Sequence, residues 1–228
     1  MESSGTFAAL ITAAGRSTRM GDGIKKEYRR VNGLPLLSRI YQQFTASGLF
    51  TFFVITCPPG DEDAVGTLLN LSANQEDTRI IAGGDTRQDS VLAGLAAMAM
   101  VDPDYVLIHD GSRPWVSPEL VTRVCEGTRA WGACIPVVPA VDTLAALDEN
   151  GSVAGWPDRQ GVYLVQTPQG FRFTELYEAH RKASSDGLTY HDDSEIYGRY
   201  VGGVKTVPGD PANRKITYPG DLPESAIL

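Results

Sequence analysis

The chain has 228 residues, 42% of them hydrophobic and 21% charged, with a formal net charge of −8. That length and balance predict one α/β-sized core with an elaboration and exclude a disordered or fibrous chain, while the acidic surplus argues against nucleic acid or an anionic membrane surface as the main partner. Cys57, Cys125 and Cys134 form no CxxC pair and have no histidine at metal spacing, and neither a leader-like start nor a long apolar run is present, so a cytoplasmic protein without zinc or disulfides is expected.

In chain order, a β-rich run at Phe7–Thr12 is followed by a helical pattern at Leu36–Thr45, a strand-like run at Thr51–Cys57 and a second helical pattern at Asp61–Leu71. Arg79–Ala82 then reads as a strand, Arg87–Met100 as a helix with Val91, Leu92, Leu95 and Met98 on one stripe, and Tyr105–His109 as a strand. The next helix is well signalled: Ser117 caps it, Pro118 suits the first position and Glu119 favours the positive end of the dipole, so it is expected over Ser117–Arg129. Strands at Ala133–Val138, Val162–Gln166 and Val204–Val207 and helices at Arg172–Ser184 and Asp193–Tyr200 complete the series. Several strand runs are continuously apolar, as strands covered on both faces are. The alternation therefore predicts an α/β protein with a mostly parallel, twisted sheet flanked by helices.

One stretch breaks the alternation. Asp148-Glu149-Asn150-Gly151 places an Asn-Gly turn between extended runs, which predicts a β-hairpin arm over about residues 142–165. Its Leu144, Leu147, Val153 and Trp156 leave two arrangements open, an arm that projects toward a partner or a hairpin folded back on its own domain.

The chemistry concentrates in turns after strands. Ala13-Ala14-Gly15, running on to Met20-Gly21, is small enough for backbone amides to approach a phosphate, and it is neither a P-loop nor a GxGxxG fingerprint. No acidic residue closes the second strand, which ends Cys57-Pro58-Pro59, so a dehydrogenase-type ribose carboxylate is missing. Arg16, Arg19, Lys25 and Lys26 crowd this turn. At separations of roughly 5–7 Å each like-charged pair repels by about 0.5–3 kcal/mol, a cost that a bound triphosphate reverses. Gly83-Gly84-Asp85 with Ser90 forms a second tight turn suited to a base or ribose. Asp110 ends an apolar strand, where a carboxylate is well placed to hold magnesium beside phosphate oxygens. His109, His180 and His191 lack obvious partners and are left out of the chemistry.

These blocks, in this order, resemble the 2-C-methyl-D-erythritol 4-phosphate cytidylyltransferases. Ala13-Ala14-Gly15 with Arg19-Met20-Gly21 and Lys26-Glu27-Tyr28 is similar to an AAGxGxRM turn followed by PKQ[YF], Gly83 to Val91 to GGxxRxxSV, and Val106 to Pro114 to VLVHDAARP. Asp142-Thr143, Asp158-Arg159, Thr167-Pro168-Gln169 and Asn213 to Thr217 resemble the remaining blocks, so that the match runs from about Phe7 to Leu222.

The resemblance implies a single Rossmann-like nucleotidyltransferase domain over residues 1–228, using CTP with Mg2+ and acting on small molecules as a homodimer through the arm. Arg19 and Lys26 would be catalytic, with Ala13, Ala14, Gly15, Gly84, Asp85, Ser90, Gly111 and Lys215 around the nucleotide. Asp110, Arg113, Asp142, Thr143, Arg159 and Thr167 would meet the second substrate, Asp110 also serving the metal. Lys25 replaces the usual proline and leaves a one-residue choice of catalytic lysine, settled for Lys26 by the Glu27-Tyr28 that follows; Gly111 and Ser112 stand where alanines are usual. A ribitol 5-phosphate cytidylyltransferase is the neighbouring reading, and a nucleotide-binding module without chemistry the distant one.

Overall fold

The computed structural model describes residues 5–15, 25–72, 75–223 and 226–227. Its centre is β1 (Phe7–Thr12), whose first five residues are fully covered. Side chains alternate across a strand, so Phe7, Ala9 and Ile11 enter one core and Ala8 and Leu10 the other. The first core is closed by α1 (Leu36–Ala46), α2 (Glu62–Leu68) and α4 (Pro118–Trp131), and the second by α3 (Arg87–Met98), α5 (Phe173–Ser185) and α6 (Asp193–Tyr200). Helices on both faces explain why the central strands carry no polar alternation.

On one side β1 pairs in parallel with β4 (Phe50–Cys57), which pairs with β5 (Thr78–Ala82); on the other it pairs in parallel with β6 (Tyr105–Asp110). The chain thus leaves β1 in one direction and returns to build in the other, which opens a crevice at the carboxyl ends of these strands. Beyond β6 lie β11 (Gln169–Arg172), antiparallel to both neighbours, and β7 (Ala133–Pro139). Two further strands, β10 (Tyr163–Val165), antiparallel, and β12 (Lys205–Pro208), parallel, also pair with β7. The expected architecture is present, with boundaries displaced by a few residues; α2 stops at Leu68, and Asn70 follows in the left-handed region at φ 58°.

Two features escaped the sequence reading. Strand β11 has a single large apolar residue, Phe171, and Gly170 at the point where a β-carbon would lie 2.0 Å from Thr128 Oγ1 on α4. A second Asn-Gly turn, Asn32-Gly33 at φ 54° and 78°, joins β2 (Arg30–Val31) to β3 (Leu34–Pro35), and β13 (Ala226–Ile227) pairs with β2.

The arm carries β8 (Ala146–Leu147) and β9 (Val153–Gly155), an antiparallel ribbon. The Asp148 carboxylate accepts from the amides of Asn150 and Ser152, and Gly151 takes φ 79°, so the turn is locally fixed. Leu147 is 62% exposed and Trp156 73% exposed, as in an arm that stands off its own domain. Among the described residues no helix is long and apolar enough to cross a membrane.

Gly94 sets how closely α3 approaches the sheet, since a β-carbon there would lie 2.4 Å from Leu10 Cδ1 and 2.7 Å from Cδ2. Gly94→Val is therefore expected to lower unfolding free energy by about 1–3 kcal/mol through overpacking, read as a lower urea midpoint with unchanged slope.

Candidate functional site

Four strand ends build the site. The amide of Ala13 donates to Thr56 O at 2.8 Å, that of Gly111 to Thr12 O at 2.8 Å, and that of Gly83 to Cys57 O at 2.8 Å, so the segments leaving β1, β6 and β5 are stitched together where the sheet stops. Between them lies a cleft of about 780 Å³ that holds Ala14, Gly15, Gly84, Asp85, Ser90, Asp110 and Lys215, all expected from sequence, together with Lys25 and Lys26. Ala13 is buried beside it. Arg16, Arg19 and Gly21 lie outside the described residues.

Each turn has a steric reason. A β-carbon on Gly15 would meet nothing within 4 Å, so small size there leaves open room above the turn. By contrast, Gly83 would collide with Ala14 Cβ at 2.3 Å, and Gly84 with Asp89 Cβ at 2.4 Å. Ser90 is buried, and its hydroxyl accepts from the Gly84 amide at 3.1 Å and donates to Thr86 O at 2.8 Å, so it builds the glycine turn. Thr86 and Asp89 close a reciprocal capping box at the start of α3, which orients the next residue, Arg87, into the cleft.

Asp110 is the electrostatic centre. Its Oδ1 accepts from Arg87 Nε at 3.0 Å and its Oδ2 from Lys215 Nζ at 2.8 Å, with Arg113 Nε 3.8 Å away. Burial alone would raise its pKa, but Arg87 and Lys215 outweigh burial and hold the carboxyl well below the usual range. Arg87 binds a second buried carboxylate, Asp193, through Nη2 at 2.7 Å, and Asp193 in turn faces His180 Nε2 at 3.1 Å. Arg113 donates to Asn213 O at 3.0 Å and to Val165 O at 3.3 Å, bracing the segment that carries Lys215. The Ile216 amide, on Ser112 O at 2.8 Å, pins the same segment next to Lys215 itself.

Below the carboxylate runs a buried chain of hydrogen bonds. The Asp110 amide donates to Thr167 Oγ1 at 3.0 Å, Thr167 Oγ1 lies 3.1 Å from His109 Nδ1, and His109 Nε2 lies 3.0 Å from Arg113 O. Thr167 thus donates to Nδ1 while Nε2 keeps the proton, which makes His109 neutral. Burial pushes its pKa down to about 4. Thr167 supports Asp110 from beneath and is 5% exposed.

The remaining expected residues lie elsewhere. Asp142 and Thr143 are exposed, and Arg159 donates through Nη1 to Val141 O at the base of the arm, where it lines a separate hollow of about 460 Å³ with Asp158 and Tyr163. None of these three lines the larger cleft. Conversely, Arg87, Asp193 and His180 were missed as site residues. Arg87 had a signal, its place in the Gly83 to Val91 block, whereas nothing local marks Asp193 or His180.

Phosphate-sized turns on successive strand ends, ringed by cations and centred on a carboxylate that stays ionised, define a Rossmann-like α/β protein with an anion-binding crevice. Residues 7–228 match the model of IspD, 2-C-methyl-D-erythritol 4-phosphate cytidylyltransferase, and the chain belongs to that family. A bifunctional enzyme IspD/IspF of Rhodopseudomonas palustris strain CGA009 is 40% identical over 224 residues, which cover 97% of this chain and 55% of that protein. The chain spans about half the length of the curated relatives it matches. Among solved structures, the 4-diphosphocytidyl-2C-methyl-D-erythritol synthase of Anaerococcus prevotii superposes with a TM-score of 0.82 at 29% identity, over 96% of this chain and 93% of that one. The 2-C-methyl-D-erythritol 4-phosphate cytidylyltransferase of Thermus thermophilus does so with a TM-score of 0.78 at 34% identity, over 95% of each.

His109 makes stability fall with acid. Its folded pKa lies below the unfolded value, so between pH 6.5 and about 4 the unfolded chain binds the extra proton, and the loss reaches about 3 kcal/mol. Urea midpoints across that window should drop more steeply for the native chain than for His109→Asn, which accepts from Thr167 without titrating.

Proposed function

We propose that the chain transfers the cytidylyl group of CTP to 2-C-methyl-D-erythritol 4-phosphate and releases pyrophosphate, working as one nucleotidyltransferase domain with an arm inserted at about residues 142–165. The observation that carries this reading is the cleft itself, in which Arg87 and Lys215 hold the ionised Asp110 while Lys25 and Lys26 line the same cleft beside a small-residue turn. Membership of the family supplies the choice of substrates.

In this reaction a phosphate oxygen of the polyol phosphate attacks the α-phosphorus of CTP, and the bond from that phosphorus to the bridging β-oxygen breaks in line. No covalent intermediate on the protein is needed, so the side chains act by positioning and by stabilising charge. Lys26, on the short turn Lys26–Tyr28 and only 12% exposed, would face the α-phosphate and the leaving oxygens, and Arg19 would join it. The turns at Ala13 to Gly15 and at Gly84 with Asp85 and Ser90 would seat the triphosphate, ribose and base. Gly111 lets the backbone pass close, since a β-carbon there would lie 2.9 Å from Thr12 O.

Magnesium fits the donor set. Asp110 is ionised at a strand end, and magnesium is usually held by one or two carboxylates with substrate phosphates and water completing its shell. Lys215, paired with Asp110 at 2.8 Å but 41% exposed on its side chain, would turn toward a phosphate as the metal takes its place. Bound magnesium would neutralise charge on the phosphate oxygens during transfer.

The polyol phosphate would meet Arg113 and Asp110 on the body and Asp142, Thr143 and Arg159 from an arm. Because the arm-base residues line a different hollow from Asp110 within one chain, the arm of a second copy is the natural source of Arg159, which makes the working unit a homodimer. A cytoplasmic enzyme is the matching address.

Turnover with CTP and either polyol phosphate tests the substrate: pyrophosphate release should be strong with 2-C-methyl-D-erythritol 4-phosphate, and preference for ribitol 5-phosphate, or binding of CTP without release, overturns the reading. Lys26→Ala and Arg19→Ala should each lower kcat by on the order of 10²–10³ while circular dichroism stays native. Arg159→Ala should raise KM for the polyol phosphate about tenfold or more and leave KM for CTP unchanged, and light scattering should give twice the chain mass; a monomer active at full rate contradicts the shared site.

A further inference from the structure

Asp193 does not line the cleft, yet it is a buried carboxylate one residue removed from solution chemistry by Arg87. Its Oδ2 accepts from Arg87 Nη2 at 2.7 Å and its Oδ1 faces His180 Nε2 at 3.1 Å, with side chains 1% and 0% exposed. Arg87 meets Asp110 through a different atom, Nε, at 3.0 Å. Two carboxylates, one on Nε and one on Nη2 of the same planar guanidinium, restrict both its position and its plane.

The surroundings are built to keep this arrangement. Asp193 opens α6, and Gln169 on β11 ties that end down by donating to Asp192 Oδ2 at 3.0 Å and accepting from the Ser194 amide at 3.2 Å. Gln88, next to Arg87, accepts from the Tyr190 amide at 3.0 Å and donates to Leu188 O at 3.0 Å, fastening the start of α3 to the segment that leads into α6.

We infer that Asp193 is a positioning residue for nucleotidyl transfer, holding Arg87 by Nη2 so that it cannot fold onto Asp110 as a two-point pair. Arginine and carboxylate prefer the bidentate fork, which would occupy both oxygens of Asp110. With Asp193 holding Nη2, Arg87 reaches Asp110 by Nε alone and Oδ2 is left to Lys215, a partner that can turn away. His180 keeps Asp193 in place from behind. The inference rests on the function proposed above.

A double-mutant cycle tests it. Asp193→Asn should lower kcat about tenfold with KM for CTP changed less than about threefold, and the same change made in an Arg87→Gln background should cost less than about twofold, because the residue acts through Arg87. Equal losses in both backgrounds, or an Asp193→Asn enzyme within twofold of native, overturn the inference. If Asp193→Asn fails a circular-dichroism check, His180→Leu takes its place in the cycle under the same criteria, with His180→Gln, which can still donate to Asp193, expected to restore kcat. A readout independent of turnover separates this inference from the function: in 15N-arginine-labelled protein the Arg87 Nε–H signal, protected in the native chain, should change its exchange rate in either variant. A native chain that makes no cytidylyl product refutes the function, and the Nε–H signal then decides Asp193 alone, an unaltered signal refuting its hold on Arg87.

Discussion

The site depends on keeping one carboxylate charged in a place that disfavours charge. Asp110 is buried at the end of β6, and desolvation pulls toward its neutral form. Arg87 and Lys215, each within 3.0 Å, reverse that preference, and Arg113 adds to it from 3.8 Å. Buried ion pairs add little net stability compared with apolar packing, although breaking one by removing a single partner costs about 3–5 kcal/mol. A cluster of this kind is therefore weakly explained as scaffolding and well explained as preorganised charge. Its geometry is inherited from the sheet, because Thr12 and Asp110 are register partners and Thr167 holds the Asp110 amide from below.

Much of this was legible in the sequence, for physical reasons. Strands covered on both faces must be continuously apolar, so β1, β4 and β6 were visible, and capping chemistry marked the start of α4 at Ser117-Pro118. Strand β11 was not visible because four residues with one large apolar side chain carry no period, and its place is set by pairing with β6 and β7. The glycine turns and Asp110 declare themselves locally through residue type. Asp193 and His180 do not, since a carboxylate more than a hundred residues from Arg87 becomes its partner only when α3 and α6 meet. Ser90 and Thr167 show a subtler gap: residue type marked them as binding groups, while their hydroxyls are committed to backbone and histidine partners that shape the cleft.

The two halves of the site differ in construction. The side proposed for the nucleotide is assembled from strand ends already locked together by backbone hydrogen bonds, and its shape is set by collisions that only glycine avoids at residues 83 and 84. The arm side rests on a short ribbon with exposed apolar side chains, held by an Asp148-centred turn. Rigid support is concentrated where the proposed transfer would demand accurate alignment.

Lys215 illustrates what such wiring does to binding. Within the cleft this ammonium serves as a built-in counterion for Asp110. An arriving polyanion would recruit it by exchanging one contact for another, so that fewer mobile ions from bulk electrolyte need to be displaced than a count of basic side chains suggests. Affinity in such a cleft responds more gently to ionic strength than that of an open patch of lysines, where screening acts on every charge directly.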